Sequence, residues 1–217
     1  MKWLQLAGLI CIFFLSTANS SPLFESQLRG FEKKDRYTPI PTDAVLVIGS
    51  SSIAQWKTMS QDLQPLPIIR RGFGGAQLLD FIHYFERIVQ PYHPDTILLY
   101  AGENDIAAGH LPQQVLNNFQ RFVAKTHRIF PQTSIYFVSI KPSLRRAHLW
   151  LVMQQANQLI QAYVEQQDLV TFIDVSQDMY DDAGKLNALL FLPDGQHLNR
   201  KGYQAWTKKI RQILLNE

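Results

Sequence analysis

The chain has 217 residues, of which 46% are hydrophobic and 18% are charged, a balance that excludes a disordered or low-complexity protein. The length suits one well-buried domain. The formal net charge of +3 is too small for the electrostatic footprint of a nucleic-acid-binding protein, and the pairs Arg70-Arg71 and Arg145-Arg146 are interpreted as solvated surface. We therefore expect no nucleic-acid partner.

The first twenty residues, MKWLQLAGLICIFFLSTANS, have the pattern of a secretory signal peptide. Lys2 precedes an apolar run, and the small residues Ala18 and Ser20 suit a cleavage site. An uncleaved membrane anchor is the alternative, but a span needs about 20 apolar residues and this run is shorter. We expect residues 1–20 to be removed and residues 21–217 to form a single exported domain, periplasmic or secreted, without a stable membrane anchor.

Five stretches rich in β-branched and apolar residues predict buried strands, at residues 44–49, 67–72, 96–102, 134–140 and 169–175. Segments with the apolar spacing of a helix lie between or after these strands, at residues 78–89, 115–123, 149–163 and 203–214. Asn199 is the predicted N-cap of the last one. Strands that alternate with helices predict right-handed β-α-β units. The expected fold is α/β, a three-layer α/β/α sandwich around a five-stranded parallel sheet.

Ligands of such folds bind at the carboxyl ends of the strands, so the residues that follow each strand are the candidate site. The four groups are Gly49-Ser50-Ser51-Ser52, Gly72-Phe73-Gly74-Gly75, Gly102-Glu103-Asn104-Asp105, and Asp194 with His197 in LPDGQHLN. Acyl transfer needs a hydroxyl nucleophile, an imidazole, an orienting carboxylate and oxyanion donors, and these groups contain a candidate for each.

The four blocks resemble those of the SGNH hydrolase family, also called GDSL esterases and lipases. IGSSSI is similar to its first block, RGFGGAQL to the second, YAGENDI to the G-x-N-D block and LPDGQHLNRKGY to the D-x-x-H block. The resemblance covers about residues 45–206 and implies the flavodoxin-like SGNH fold with a serine ester hydrolase activity that needs no cofactor.

The resemblance implies Ser51 as the nucleophile, His197 as the general base and Asp194 as its orienting acid. It also implies an oxyanion hole made by Ser51, Gly75 and Asn104. The family has aspartate where this chain has Ser50, which implies that a hydroxyl shapes the nucleophile turn here. Ser52 is the second choice of nucleophile.

Other interpretations remain open at this stage. A flavodoxin-like module could cradle a flavin phosphate with GSSS, and a relative without catalysis could bind envelope sugars or peptides. The α/β-hydrolase fold is disfavoured because Ile53 stands where G-x-S-x-G needs glycine. No metal is implied, since the other histidines have no metal-ligand spacing; they are His83, His93, His110, His127 and His148.

The substrate is expected to be a small or envelope-linked ester with a short acyl chain, because the loops look compact and no long apolar lid is evident. In the segment IKPSLRR, Lys141 or Ser143 could touch this substrate, although an ordinary proline-containing loop is the interpretation we favour. Trp56 and Trp150 are expected to pack in or near the core.

Overall fold

The computed structural model describes residues 24–216, so the predicted signal peptide lies outside the described residues and stays a prediction. Five parallel strands form one sheet in the order β2-β1-β3-β4-β5. The strands are β1 (Val45–Gly49), β2 (Ile68–Gly72), β3 (Thr96–Tyr100), β4 (Ser134–Val138) and β5 (Val170–Ile173).

The helices alternate with these strands and lie on both faces of the sheet. They are α1 (Glu25–Tyr37), α2 (Ser51–Gln55), α3 (Met59–Asp62), α4 (Leu78–His83), α5 (Phe85–Ile88), α6 (Glu103–Ala107), α7 (Pro112–Ile129), α8 (Trp150–Val164) and α9 (Arg200–Leu214). No helix within residues 24–216 is long and apolar enough to cross a bilayer.

The alternation of side chains along each strand fills two separate cores. Leu46 and Ile48 of β1 pack in one core with apolar residues of α1, α4, α5, α7 and α8. Val45 and Val47 pack in the other core, where α2, α3 and α9 contribute. The predicted three-layer α/β/α sandwich is confirmed, and all five predicted strands are present with ends that differ by at most two residues.

The predicted helix over residues 78–89 is divided into α4 and α5. The backbone at Tyr84 has φ −93° and ψ 15°, which departs from helical values. Phe81 and Phe85 on either side remain buried in the same core. The apolar spacing of residues 78–89 therefore predicts the buried face correctly but does not predict the break between α4 and α5.

The sequence analysis interprets the Arg70-Arg71 pair as solvated surface, and for Arg71 this expectation is wrong. Its side chain is 5% exposed and donates to Asp35 of α1 at 2.5 Å and to the Tyr92 hydroxyl at 2.7 Å. The guanidinium also lies 5.0 Å from the centre of the Phe31 ring. A buried guanidinium needs such partners, and these bonds fasten α1 to β2.

Candidate active site

A hydrogen-bonded chain of three side chains joins the first and last predicted blocks. The Ser51 hydroxyl lies 2.9 Å from His197 Nε2, and His197 Nδ1 lies 2.6 Å from Asp194 Oδ2. Ser51 begins α2 directly after β1, whereas His197 precedes α9 by three residues. The sheet topology thus brings together residues that are 146 positions apart.

The nucleophile turn is shaped by main-chain contacts. The Ser50 N–H donates to the Tyr100 carbonyl at 3.1 Å, and the Ser50 carbonyl accepts from Ile53 and Ala54 at 3.0 and 3.1 Å. Ser50 is the N-cap of α2 but makes no side-chain capping hydrogen bond. Backbone hydrogen bonds therefore hold this turn, and the expectation that a hydroxyl replaces the family's aspartate in shaping it stays a prediction.

Helix α9 supports α2 from the opposite side. The Tyr203 hydroxyl donates to the Ser52 carbonyl at 2.8 Å, and the Tyr203 ring stacks on Trp56 with centroids 5.1 Å apart. Trp56 is fully buried, as expected. The Asn199 side chain caps α9 by accepting from the N–H groups of Lys201 and Gly202, which confirms the predicted cap.

The loop that carries Asp194 and His197 is closed on itself. Asp194 Oδ1 accepts from the backbone N–H groups of Gln196 and His197, both at 2.9 Å. The His197 carbonyl accepts from the Leu192 N–H at 2.7 Å. These bonds fix the carboxylate relative to the imidazole, so its second oxygen meets Nδ1.

Asp194 is a carboxylate at neutral pH. Burial alone raises its pKa, but the hydrogen bonds from the His197 ring and from the N–H groups of Gln196 and His197 lower the pKa to about 2. A charged acceptor at Nδ1 selects the tautomer in which Nδ1 carries the hydrogen. Nε2 is then free to accept the hydroxyl hydrogen of Ser51.

Two of the predicted oxyanion donors, Gly75 and Asn104, lie in the segments that follow β2 and β3. Gly75 has a φ of +83° and open space where a Cβ would stand. The Asn104 amide donates to the Ala76 carbonyl at 3.0 Å, and Leu78 N–H donates to both Asp105 oxygens at 3.2 Å. The G-x-N-D block therefore holds the chain just after Gly75 through hydrogen bonds to Ala76 and Leu78.

The N–H groups of Ser51 and Gly75 have no hydrogen-bond acceptor among the described residues. The Asn104 amide nitrogen carries two hydrogens and uses one on Ala76. Two N–H groups and one amide hydrogen are thus without an acceptor in the described part of the chain. This is the number that a tetrahedral oxyanion of acyl transfer can use.

A profile of the GDSL-like Lipase/Acylhydrolase family matches residues 41–205, which is most of the chain. The chain belongs to this family. Membership makes the protein a GDSL-type carboxylic ester hydrolase, and the fold is the flavodoxin-like α/β/α sandwich of SGNH hydrolases, as the sequence predicts. No curated protein sequence matches this hydrolase.

Solved structures resemble this GDSL-type hydrolase over most of its length. A protein of Streptococcus pneumoniae, provisionally described as a platelet activating factor, is 26% identical with a TM-score of 0.74, and the match covers 87% of this chain and 92% of that one. A GDSL-like lipase of Bacteroides thetaiotaomicron is 19% identical with a TM-score of 0.73 over 88% and 98% of the two chains. An acetylxylan esterase of Geobacillus stearothermophilus is 14% identical with a TM-score of 0.65 over 79% and 93%.

The second choice of nucleophile, Ser52, lies inside the hydrolase core. It is 2% exposed, and its hydroxyl hydrogen-bonds to Tyr100, which is itself buried. Ser51 is less buried and carries the contact to His197. The geometry therefore favours Ser51 over Ser52 as the residue that meets a substrate.

The segment after β4 contains contacts that the sequence analysis missed. Lys141 is fully buried, so it does not line a pocket, and Ser143 is 1% exposed with an unpartnered hydroxyl. Arg146, interpreted from the sequence as solvated, donates to Asn104 Oδ1 and to Glu103. Glu103 follows β3, and Lys141 and Arg146 follow the adjacent strand β4. This adjacency is the feature of the sequence from which the ion pairs could have been predicted.

Within residues 24–216, no group of three or more His, Cys, Asp and Glu side chains could hold a metal ion. His110 lies close to Asp105, with Nδ1 3.8 Å from Oδ1, and that Nδ1 atom is buried without a hydrogen bond. This pair belongs to the packing behind the G-x-N-D block.

Proposed function

We propose that the protein hydrolyses short-chain carboxylic esters through an acyl-enzyme, with Ser51 as nucleophile, His197 as general base and Asp194 as orienting acid. The single observation that carries this proposal is the Ser51–His197–Asp194 chain, with distances of 2.9 and 2.6 Å. Both distances lie within the reach that proton transfer requires.

In the first half-reaction, Ser51 Oγ attacks the ester carbonyl carbon while its proton passes to His197 Nε2. The Asp194 carboxylate stabilises the imidazolium that forms, without itself taking a proton. His197 then protonates the alkoxide leaving group, the carbon–oxygen bond to the alcohol breaks, and the acyl group remains on Ser51.

In the second half-reaction, His197 takes a proton from water, whose oxygen attacks the acyl carbon. The tetrahedral species collapses with Ser51 Oγ as the leaving group, which regains its proton from Nε2. The carboxylic acid is released and the resting state returns. Every proton is supplied and recovered by His197, so these steps balance without a cofactor.

Both tetrahedral species carry a negative oxygen, which the N–H groups of Ser51 and Gly75 and the Asn104 amide would bind. The Ser51 N–H also belongs to the first turn of α2, where partial positive charge favours an anion. Removal of one such donor typically lowers kcat by about 10²- to 10³-fold.

The preference for short acyl chains rests on the loops at the site. The chain passes from β2 to α4 and from β3 to α6 through short connections. One solved structure that shares the fold is described as an acetylxylan esterase. With the predicted export signal, an acetylated or similar ester of the cell envelope is the proposed substrate.

The test is hydrolysis of p-nitrophenyl acetate and p-nitrophenyl octanoate by the chain from residue 21 onward, with Ser51→Ala beside Ser52→Ala as a matched control. We expect the acetate to be the better substrate. Ser51→Ala should lose at least about 10³-fold in kcat, whereas Ser52→Ala should keep activity within several-fold.

Mass spectrometry of enzyme quenched during turnover should find the acyl group on the peptide that contains Ser51. Equal activity of both serine variants would contradict the assignment of the nucleophile. Faster turnover of the octanoate would contradict the short-chain preference, and an inactive wild-type protein would contradict the proposed function itself.

A further inference from the structure

A largely buried group of polar and charged residues adjoins Asn104, a proposed oxyanion donor. We name it the Glu103 cluster, and its members are Tyr100, Glu103, Lys141 and Arg146. Glu103 Oε2 accepts from the Tyr100 hydroxyl at 2.8 Å and from Lys141 Nζ at 3.2 Å, and Oε1 accepts from Arg146 at 3.1 Å. The Glu103 side chain is 5% exposed and the Lys141 side chain 0%.

The cluster contains two cationic side chains and one carboxylate. If Lys141 and Glu103 balance one another, the charge of Arg146 is left uncompensated within the cluster. A guanidinium keeps its charge at all working pH values. A positive charge in a partly buried position is therefore held beside the place where the oxyanion of the proposed reaction forms.

Arg146 contacts the oxyanion donor itself. Its Nη1 atom lies 3.1 Å from Asn104 Oδ1 and 3.3 Å from the Glu103 carbonyl. The other end of the Asn104 amide donates to Ala76 at 3.0 Å. A cationic donor on Oδ1 makes the amide orientation unambiguous and directs the nitrogen, with its second hydrogen, away from Arg146.

We propose that Arg146 is a positioning residue, which orients Asn104 and polarises its amide so that Nδ2 becomes a stronger donor to the oxyanion. A hydrogen bond from a charged group to an amide oxygen increases the positive charge on the amide hydrogens, because hydrogen bonds in series polarise each other. The inference deepens the proposed ester hydrolysis and depends on it.

Lys141 extends the cluster to the other side of the site. Its Nζ donates to the Gln196 carbonyl at 2.8 Å, in the loop between Asp194 and His197. The same ammonium contacts Glu103, the residue before Asn104. One buried side chain therefore links the loop of the general base to the block of the oxyanion donor, and Arg146 completes the link.

The test compares Arg146→Met with Arg145→Met in steady-state hydrolysis of p-nitrophenyl acetate. Arg145 is the exposed neighbour, and its side chain contacts neither Asn104 nor Glu103. We expect Arg146→Met to lower kcat by about 10- to 100-fold with KM within threefold of wild type, since the lost effect acts in the transition state. Arg145→Met should match the wild-type protein.

A double-mutant cycle with Asn104→Ala identifies the route of the effect. If Arg146 acts through Asn104, adding Arg146→Met to Asn104→Ala should cost less than threefold further in kcat. A merely structural role would instead lower kcat by the same factor in both backgrounds. Additive losses therefore overturn the proposal, as does an Arg146→Met protein with wild-type kcat.

If Arg146→Met does not fold, Arg146→Lys replaces it in the same test, because lysine retains the charge but not the planar guanidinium with its several donors. Its kcat should fall in the wild-type background and not in the Asn104→Ala background. A wild-type protein that neither turns over the ester nor reacts with a fluorophosphonate probe refutes the proposed function and this inference together. Wild-type turnover with an insensitive Arg146 refutes the inference alone.

Discussion

Replacing Gly72 with alanine should lower both the catalytic rate and the free energy of unfolding. Gly72 ends β2 and pairs with Gly49 of β1, next to the start of α2. A Cβ on residue 72 would lie 2.6 Å from the Ala54 Cα and 2.8 Å from the Ile53 carbonyl carbon. Both are backbone atoms, so no side-chain rotation relieves the overlap, and α2 must move away from β2.

The size of this movement follows from the distances. Ordinary van der Waals contact begins at 3.4 Å, so the separation from Ala54 Cα must grow by about 0.8 Å, and that from the Ala54 nitrogen, which is closer still, must grow by more. Ser51 lies in the same helical turn as Ala54, and its 2.9 Å contact with His197 would change accordingly. A misplacement of about 1 Å can cost about 10²-fold in rate, whereas overpacking typically costs about 1–3 kcal/mol of stability.

We therefore expect Gly72→Ala to fold, to lose about 1–3 kcal/mol in urea unfolding, and to lose about 10- to 100-fold in kcat/KM for p-nitrophenyl acetate. Gly74→Ala is the matched control, because a Cβ there meets no heavy atom within 4 Å. Gly72→Ala with kcat/KM within twofold of wild type would refute the reasoning. Equal damage from Gly74→Ala would show that the methyl group acts by another route.

Three further predictions concern charged groups. Asp194→Asn should lower kcat by about 10²- to 10⁴-fold with little change in KM, because an amide does not stabilise the His197 imidazolium; steady-state kinetics test this. Burial raises the pKa of Asp105 to about 6 from 3.8, so native protein retains the proton that unfolded chain loses, and stability falls as pH rises between about 4 and 6. Urea unfolding of wild type relative to Asp105→Asn should show this as a decrease of up to about 3 kcal/mol, and a pH-independent difference would contradict it. Lys141→Met leaves the buried Glu103 carboxylate without one cation and should lower the free energy of unfolding by about 3–5 kcal/mol, so a loss below about 1 kcal/mol would be evidence against that ion pair.

The sheet was predictable from the sequence because its strands are covered on both faces. A strand such as β1 has buried residues in two cores, so its sequence is a continuous apolar run. The four blocks were predictable for a related reason. Parallel strands place their carboxyl ends along one edge of the sheet, which is where Ser51 and His197 meet.

What the sequence did not predict depends on contacts between distant residues. Arg71 is buried because Asp35 and Tyr92 receive its guanidinium, and neither residue is near it in the chain. Arg146 contacts Asn104 because the segment after β4 turns back over β3. In both cases two adjacent arginines looked like solvated surface, and only the folded path of the chain supplies the partners that Arg71 and Arg146 contact.

The division of α4 from α5 has a different origin. Hydrophobic periodicity records which face is buried, and that face continues through Tyr84 with Phe81 and Phe85 on it. The break changes the backbone direction but not which residues are buried, so the hydrophobic periodicity does not reveal it.

The position of β2 at the margin of the sheet has a consequence for self-association. A margin strand exposes unpaired N–H and C=O groups that can recruit a strand from another molecule. Here residues 34–41, with Pro39 and Pro41, lie beside Ile68–Arg71 and share a cavity of about 110 Å³ with them. Proline cannot donate to a strand ladder, and the Arg71–Asp35 bond holds this segment in place. Residues 34–41 therefore cover part of this margin of the sheet, and we expect them to oppose edge-to-edge pairing with another molecule.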